Sequence, residues 1–156
     1  MNRTILTDKF WREFCVENTN VNPDEFYQVW FFSNDRESAK LLAELVLEGK
    51  KKATASLVLI NETKPEIAPV PDGYSVVTDF DGNPQCVIQT TEIWHLPFNE
   101  VDAQFAFDEG EGDQSLEYWR EVHRNYFTRE CRELGVEFNE SMLIDCERFR
   151  LLFSKL

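Results

Sequence analysis

The chain has 156 residues, 42% hydrophobic and 13% aromatic, enough to close the core of one ordinary domain. Six glycines, six prolines and 29% charged residues exclude collagen-like, low-complexity and wholly disordered classes. Sixteen Lys and Arg against twenty-nine Asp and Glu leave a net charge of -13, which argues against a broad grip on a phosphate backbone and so against long duplex DNA.

Residues 8–18, DKFWREFCVEN, place Phe10, Trp11 and Phe14 on one side of a short helix, ended by the Asn-rich and Asn-Pro segment that follows. After the aromatic stretch Phe26–Phe32, Asn34 reads as an N-cap with Glu37 three residues on. Leu41, Leu42, Leu45 and Val46 then form the stripe of an amphipathic helix that stops at Gly49. From Ala53 the period becomes extended: ATASLVLI, a Pro-rich loop over 64–73, YSVVTDF, a turn at Asp81-Gly82-Asn83-Pro84, and QCVIQTTEIWHL, giving three strands of which the last two form a hairpin. Residues 99–117 carry no Lys or Arg and read as an acidic loop, followed by a helix with Trp119, Val122, His123, Tyr126 and Phe127 on one face. MLIDCERFRLLF supplies a closing strand. Helices and strands that do not alternate regularly predict an α+β fold in a single domain over 1–156.

Cys15, Cys86, Cys131 and Cys146 stand far apart without metal-ligand spacing and read as buried thiols rather than a zinc site or disulfide framework. The loop DEGEGDQS lacks the spacing of a calcium loop, so a solvated loop is expected there, with no metal and no cofactor. No apolar run approaches the ~18 residues of a spanning helix, and MNRTILTDKFWREF lacks the apolar stretch of a signal peptide, so a cytoplasmic protein without a membrane partner is expected.

The most unusual segment is Glu48-Gly49-Lys50-Lys51-Lys52-Ala53-Thr54-Ala55-Ser56, where a helix ends in three lysines and enters a strand bearing two hydroxyls. Lysines complement the negative end of a helix, each by roughly 0.3 to 1 kcal/mol, and this alone accounts for them as a group. The pattern also reads G-x-K-x-x-T-x-S (Gly49, Lys51, Thr54, Ser56) and here the chain resembles the ASCH domain family. The segment Ala106–Asp113, the Trp119, Arg120 and His123 helix, and Cys146-Glu147-Arg148-Phe149-Arg150 extend the resemblance to the longer bacterial branch over roughly 31–153.

The resemblance implies a small PUA-like β-barrel with flanking helices and a cleft beside the signature. It implies RNA or a modified nucleoside as ligand. The activity it implies is that of an amidohydrolase on acetylated cytidine or a ribonuclease, or else that of a non-enzymatic RNA-binding module. An acidic protein-interaction domain is the remaining alternative. Carried over by position, the catalytic residues are Lys51, Thr54 and Glu109, with Glu111 the second choice for the carboxylate. Gly49, Ser56, Glu111, Trp119 and His123 are the substrate-binding candidates. Family amidohydrolases carry an arginine two residues after the threonine, where this chain has Ser56. His123, on the apolar face of its helix, reads first as a hydrogen-bonded core histidine; His95, after Trp94 at a strand end, is open between the same readings. Strand alternation sets Lys51 apart from Lys50 and Lys52, so Lys51 is expected to be the functional lysine, partly exposed and of little weight in folding. Its protonation state stays open: neighbouring lysines lower its pKa, a carboxylate keeps it charged.

Overall fold

The computed structural model describes residues 2–155. Along the chain run α1 (Ile5–Glu17), β1 (Tyr27–Trp30), α2 (Arg36–Leu47), β2 (Ala53–Leu57), α3 (Val58–Thr63), β3 (Tyr74–Thr78), β4 (Pro84–Pro97), α4 (Ala103–Glu109), α5 (Leu116–Glu133) and β5 (Leu143–Ser154). The strands form one sheet in the order β1-β3-β4-β5-β2, parallel only between β1 and β3. The α+β expectation holds, but the expected barrel does not: the sheet stays open. Its edge strands meet loop and helix instead of each other. On the β1 edge Gln28 donates to the Ala68 carbonyl at 2.7 Å, and beside β2 the Lys52 amide donates to the Asp108 carbonyl at 2.8 Å. Each edge is thereby covered without closure.

Local chemistry explains the elements. Thr4 and Thr7 cap α1 reciprocally, starting it earlier than its aromatic face alone predicts, and Phe10, Trp11 and Phe14 are buried against Tyr27, Val76, Val87 and Phe153. Asp35, one residue beyond the expected Asn34, caps α2 by accepting from the Ser38 amide. The buried line of α2 is Ala39, Ala43 and Val46, whereas Leu41 is exposed.

Three assignments are corrected. ATASLVLI is extended only to Leu57, because Leu57, Ile60 and Asn61 are all buried and their spacing of three and four fits a helical turn, not a strand's alternation. The acidic loop contains α4, capped by Asp102 through the Phe105 amide at 2.9 Å, with Phe105, Ala106 and Glu109 turned inward. The aromatic stretch after α1 contains β1, whose Tyr27 and Val29 alternate into the core. The four cysteines are free and buried, as read from their spacing.

Gly110 positions everything that follows. It ends α4 at φ 73°, and a Cβ there would lie 2.4 Å from the Lys50 carbonyl oxygen. Only a residue with no side chain lets the end of α4 press on the Lys50–Lys51 backbone. Gly49 has a similar φ of 79° but open space around it. Gly49→Ala should therefore cost about 1–2 kcal/mol for the left-handed backbone alone. Gly110→Ala should cost clearly more. Chemical denaturation of the two variants measures the difference, and equal losses would show that the α4 contact adds nothing.

Candidate functional site

Beyond Gly49 the Lys50 and Lys51 amides both donate to the Leu45 carbonyl at 3.0 Å, and the Phe149 amide to the Lys52 carbonyl at 3.1 Å. This turn sends Lys50 and Lys52 to solvent and Lys51 inward. The expected register is right and the expected exposure is not: the Lys51 side chain is 1% exposed. Its ammonium donates to the Ala53 carbonyl at 2.9 Å, to Glu109 Oε1 at 3.2 Å and to Glu111 Oε2 at 2.8 Å, and it lies 5.2 Å from the Phe32 ring centre. These, with the Glu109 carbonyl oxygen at 3.4 Å, engage its three protons. The sequence left Glu109 and Glu111 as alternatives; the fold brings both to Lys51.

Glu109 is equally enclosed. Its Oε2 accepts from the Trp119 indole N–H and lies 3.2 Å from His123 Nε2. His123 Nδ1 faces the Trp119 carbonyl at 2.9 Å while its ring stacks on Trp119 with centres 4.2 Å apart. Both ring nitrogens therefore face acceptors, which only the doubly protonated imidazolium satisfies. Burial pushes the His123 pKa down, but the Glu109 carboxylate outweighs it and the pKa is raised. Burial likewise opposes the charge of Lys51, and Glu111 and Glu109 overcome it. Glu109 itself falls to about 2: burial acts upward, and His123 and Lys51 more than reverse it. Lys51 is thus a fixed cation whose protons are taken up by the chain's own acceptors, and it is not suited to abstracting a proton.

Glu109, Glu111 and His123 each bring a ligand atom within 4.8 Å of the others, a spacing a metal could use. Lys51 already stands between the two carboxylates and His123 presents a proton to Glu109, so the donor set is occupied by the chain's own cations.

In front of this cluster lies a two-lobed cleft. The larger lobe, about 380 Å³, is lined by Trp30, Phe31, Thr54, Ser56, Asn61 and Glu147 among others. The smaller, about 90 Å³, meets Lys51, Glu109, Glu111, His123 and Tyr126. Phe32, Ser33, Thr54 and Ala55 line both. No described residue hydrogen-bonds the Thr54 hydroxyl. The Ser56 hydroxyl accepts from Asn61 at 2.8 Å. Gly49 and Trp119 lie outside both linings: the former is an exposed helix terminator, the latter a buried donor to Glu109.

Sequence reasoning left His95 open and gave no role to Asn61, Asp145 or Glu147. Asp145 is held by Asn61 at 2.5 Å and by His95 Nε2 at 2.5 Å. Glu147 stands opposite Thr54 in the ladder between β2 and β5. The legible signal was the pair of carboxylates at alternate positions, Asp145 and Glu147, flanking Cys146 in a strand with Leu143 and Ile144 before them and Phe149 after, since buried acids need a reason.

Comparison with known proteins fits this architecture. The family description "ASCH domain" matches residues 28–152. The chain belongs to the ASCH domain family. The crystal structure of an ASCH domain from Lactobacillus crispatus JV V101 is 37% identical, with a TM-score of 0.81 over 92% of this chain and 94% of that one. Protein EF3133 from Enterococcus faecalis V583 is 29% identical, with a TM-score of 0.80 over 92% of this chain and 86% of its own. Hypothetical protein PH0355, 18% identical with a TM-score of 0.50 over 80% of this chain and 97% of its own, shares the fold alone. No curated protein sequence matches.

Within this ASCH domain the cluster carries stability. Lys51→Ala strands two acidic side chains without their cation, and removing one partner of a buried ion pair costs about 3–5 kcal/mol. Lys50→Ala and Lys52→Ala should stay within about 0.5 kcal/mol by urea denaturation. Comparable losses from all three would contradict the buried network.

Titration gives a second measurement. The Glu109 contribution is complete above its ordinary 4.5 and fades as pH falls toward about 2. The His123 contribution is complete below its ordinary 6.5 and is lost as pH rises through the raised value. Glu130 and Glu147, each raised to about 7 by burial, also favour the folded state at low pH and weaken it between 4.5 and 7. Tm should peak near about pH 5, and His123→Phe should flatten the decline above pH 6.5. A maximum at alkaline pH would contradict these assignments.

Proposed function

We propose that this ASCH domain binds a modified nucleoside or a short single-stranded RNA segment in the two-lobed cleft. The supporting observation is the larger lobe itself: nucleoside-sized, with Trp30 and Phe31 among its lining rings and Thr54, Ser56, Asn61 and Glu147 among its polar groups. An aromatic wall stacks any base and polar groups select among them. No described helix is long and apolar enough to cross a membrane, and a cytoplasmic ligand is the natural one for this reading. Lys51, locked inward, adds no cation for phosphate. The segment 36–52 otherwise offers Arg36, Lys40, Lys50 and Lys52 against Glu37, Glu44 and Glu48, so few phosphates are neutralised.

Hydrolysis of an acyl-amide or phosphodiester is the second reading, favoured by the unengaged Thr54 hydroxyl lying on both lobes beside the Lys51 cation. A threonine nucleophile needs a base in contact, and none is bonded to it, which places binding ahead of turnover.

Tryptophan fluorescence titration with cytidine, acetylated cytidine and RNA pentamers, with products followed by mass spectrometry, separates the readings. Saturable binding is expected, weakened about tenfold or more in Trp30→Ala because stacking contributes roughly 1–3 kcal/mol per base. The log-log salt slope should be near -2 or shallower, at about -0.7 per phosphate contact. Product formation that disappears in Thr54→Val establishes the hydrolytic reading. Absence of binding to every probe, or a slope steeper than about -5, overturns the proposal.

A further inference from the structure

Glu147 is the buried acid that the charged cluster does not use. It is 8% exposed and lines the larger lobe. Its Oε1 accepts from the Thr90 hydroxyl at 2.5 Å, and its Oε2 takes no hydrogen bond from any described residue. A carboxyl enclosed to this degree, with one oxygen anchored by a neighbour and the other left for the cavity, is built to meet a ligand.

Resting on the nucleoside reading above, we infer that Glu147 reads the base edge, and that the ligand is a base presenting an exocyclic amine beside a ring-nitrogen acceptor, as cytosine and adenine do. A protonated carboxyl donates from Oε2 to the ring nitrogen and accepts the amine at Oε1, which keeps a lone pair free beside the Thr90 bond. Uracil offers an N–H between two carbonyls, and a carbonyl oxygen is a far weaker base than an amidine-type ring nitrogen.

The surroundings reinforce that choice. Asp145 lies two residues along β5, on the same face, with His95 on one oxygen and Asn61 on the other. The partial positive charge of an exocyclic amine is favoured beside these acceptor oxygens, and an electron-rich carbonyl edge is not. The remaining charged groups around Glu147 are Lys51, behind the shared wall, and Lys64, on the lining of the same lobe. Burial raises the Glu147 pKa to about 7, with Asp145 acting in the same direction and Thr90 and Lys51 against it. The carboxyl therefore keeps its proton in mildly acidic solution and loses it as pH passes neutrality.

The test is calorimetric titration of the protein with cytidine, adenosine and uridine at pH 6.0, 7.0 and 8.5, with wild type, Glu147→Gln and Glu147→Leu, each checked for its thermal transition. Cytidine or adenosine should bind wild type at least about tenfold more tightly than uridine at pH 6.0, and this advantage should fall severalfold by pH 8.5. Glu147→Gln supplies the same donor and acceptor from its amide without a titrating proton, so it should retain the preference and lose the pH dependence. Glu147→Leu, if folded, should lose the preference. Equal affinity for uridine, a preference in wild type that ignores pH, or a folded Glu147→Gln that loses the preference overturns the role of Glu147 while leaving nucleoside binding intact. Failure of all three nucleosides to bind wild type overturns the nucleoside reading and this inference with it.

Discussion

The buried Lys51 ammonium is the constraint on which the rest of the structure depends. A cation removed from water needs opposite charge and acceptors at close range, and the chain meets that need from three directions: β2 through the Ala53 carbonyl, the end of α4 through Glu109, and the segment after it through Glu111. Glu109 needs further donors in turn, and α5 supplies them with Trp119 and His123. Two cations and two carboxylates thus tie α2, β2, α4 and α5 into one block. Hydrophobic contacts among Phe98, Phe105, Trp119 and Phe127 fill the space behind it.

This division of labour gives the cleft two unlike halves. The small lobe backs onto groups whose charges are already balanced, so it offers orientation and a fixed field but no free base. The large lobe is lined by both aromatic rings and polar groups, and Thr54 belongs to both lobes. The surface acidity that gives the chain its charge of -13 does not extend to a cation-rich trough. The nucleoside proposed above would be held by stacking and by its base edge more than by phosphate.

The residue two positions after Thr54 marks where this chain departs from the family amidohydrolases it resembles. Ser56 takes the place of an arginine, and its hydroxyl is bonded by Asn61, which also holds Asp145 across the ladder. A cation at this point would have faced Asp145 directly. With serine there, this side of the lobe carries a hydroxyl and the nearby Asp145 carboxyl and no cation.

The sequence by itself determined what depends on local patterning: the aromatic face of α1, the amphipathic α2 stopping at Gly49, the β3–β4 hairpin, the α5 stripe and the closing strand. It also set Lys51 apart from its neighbours. The tertiary structure decided what depends on distant partners. A four-residue edge strand such as β1 is defined by pairing with β3, and α4 was hidden because its inward Phe105, Ala106 and Glu109 sit in an acidic composition that reads as loop. Lysine and glutamate look like surface residues to any reading of one chain segment, so the burial of Lys51 and Glu109 became apparent only when residues some sixty positions apart met. Glu147 acquired its setting in the same way, from Thr90 on β4 and Thr54 on β2, neither of which lies near it along the chain.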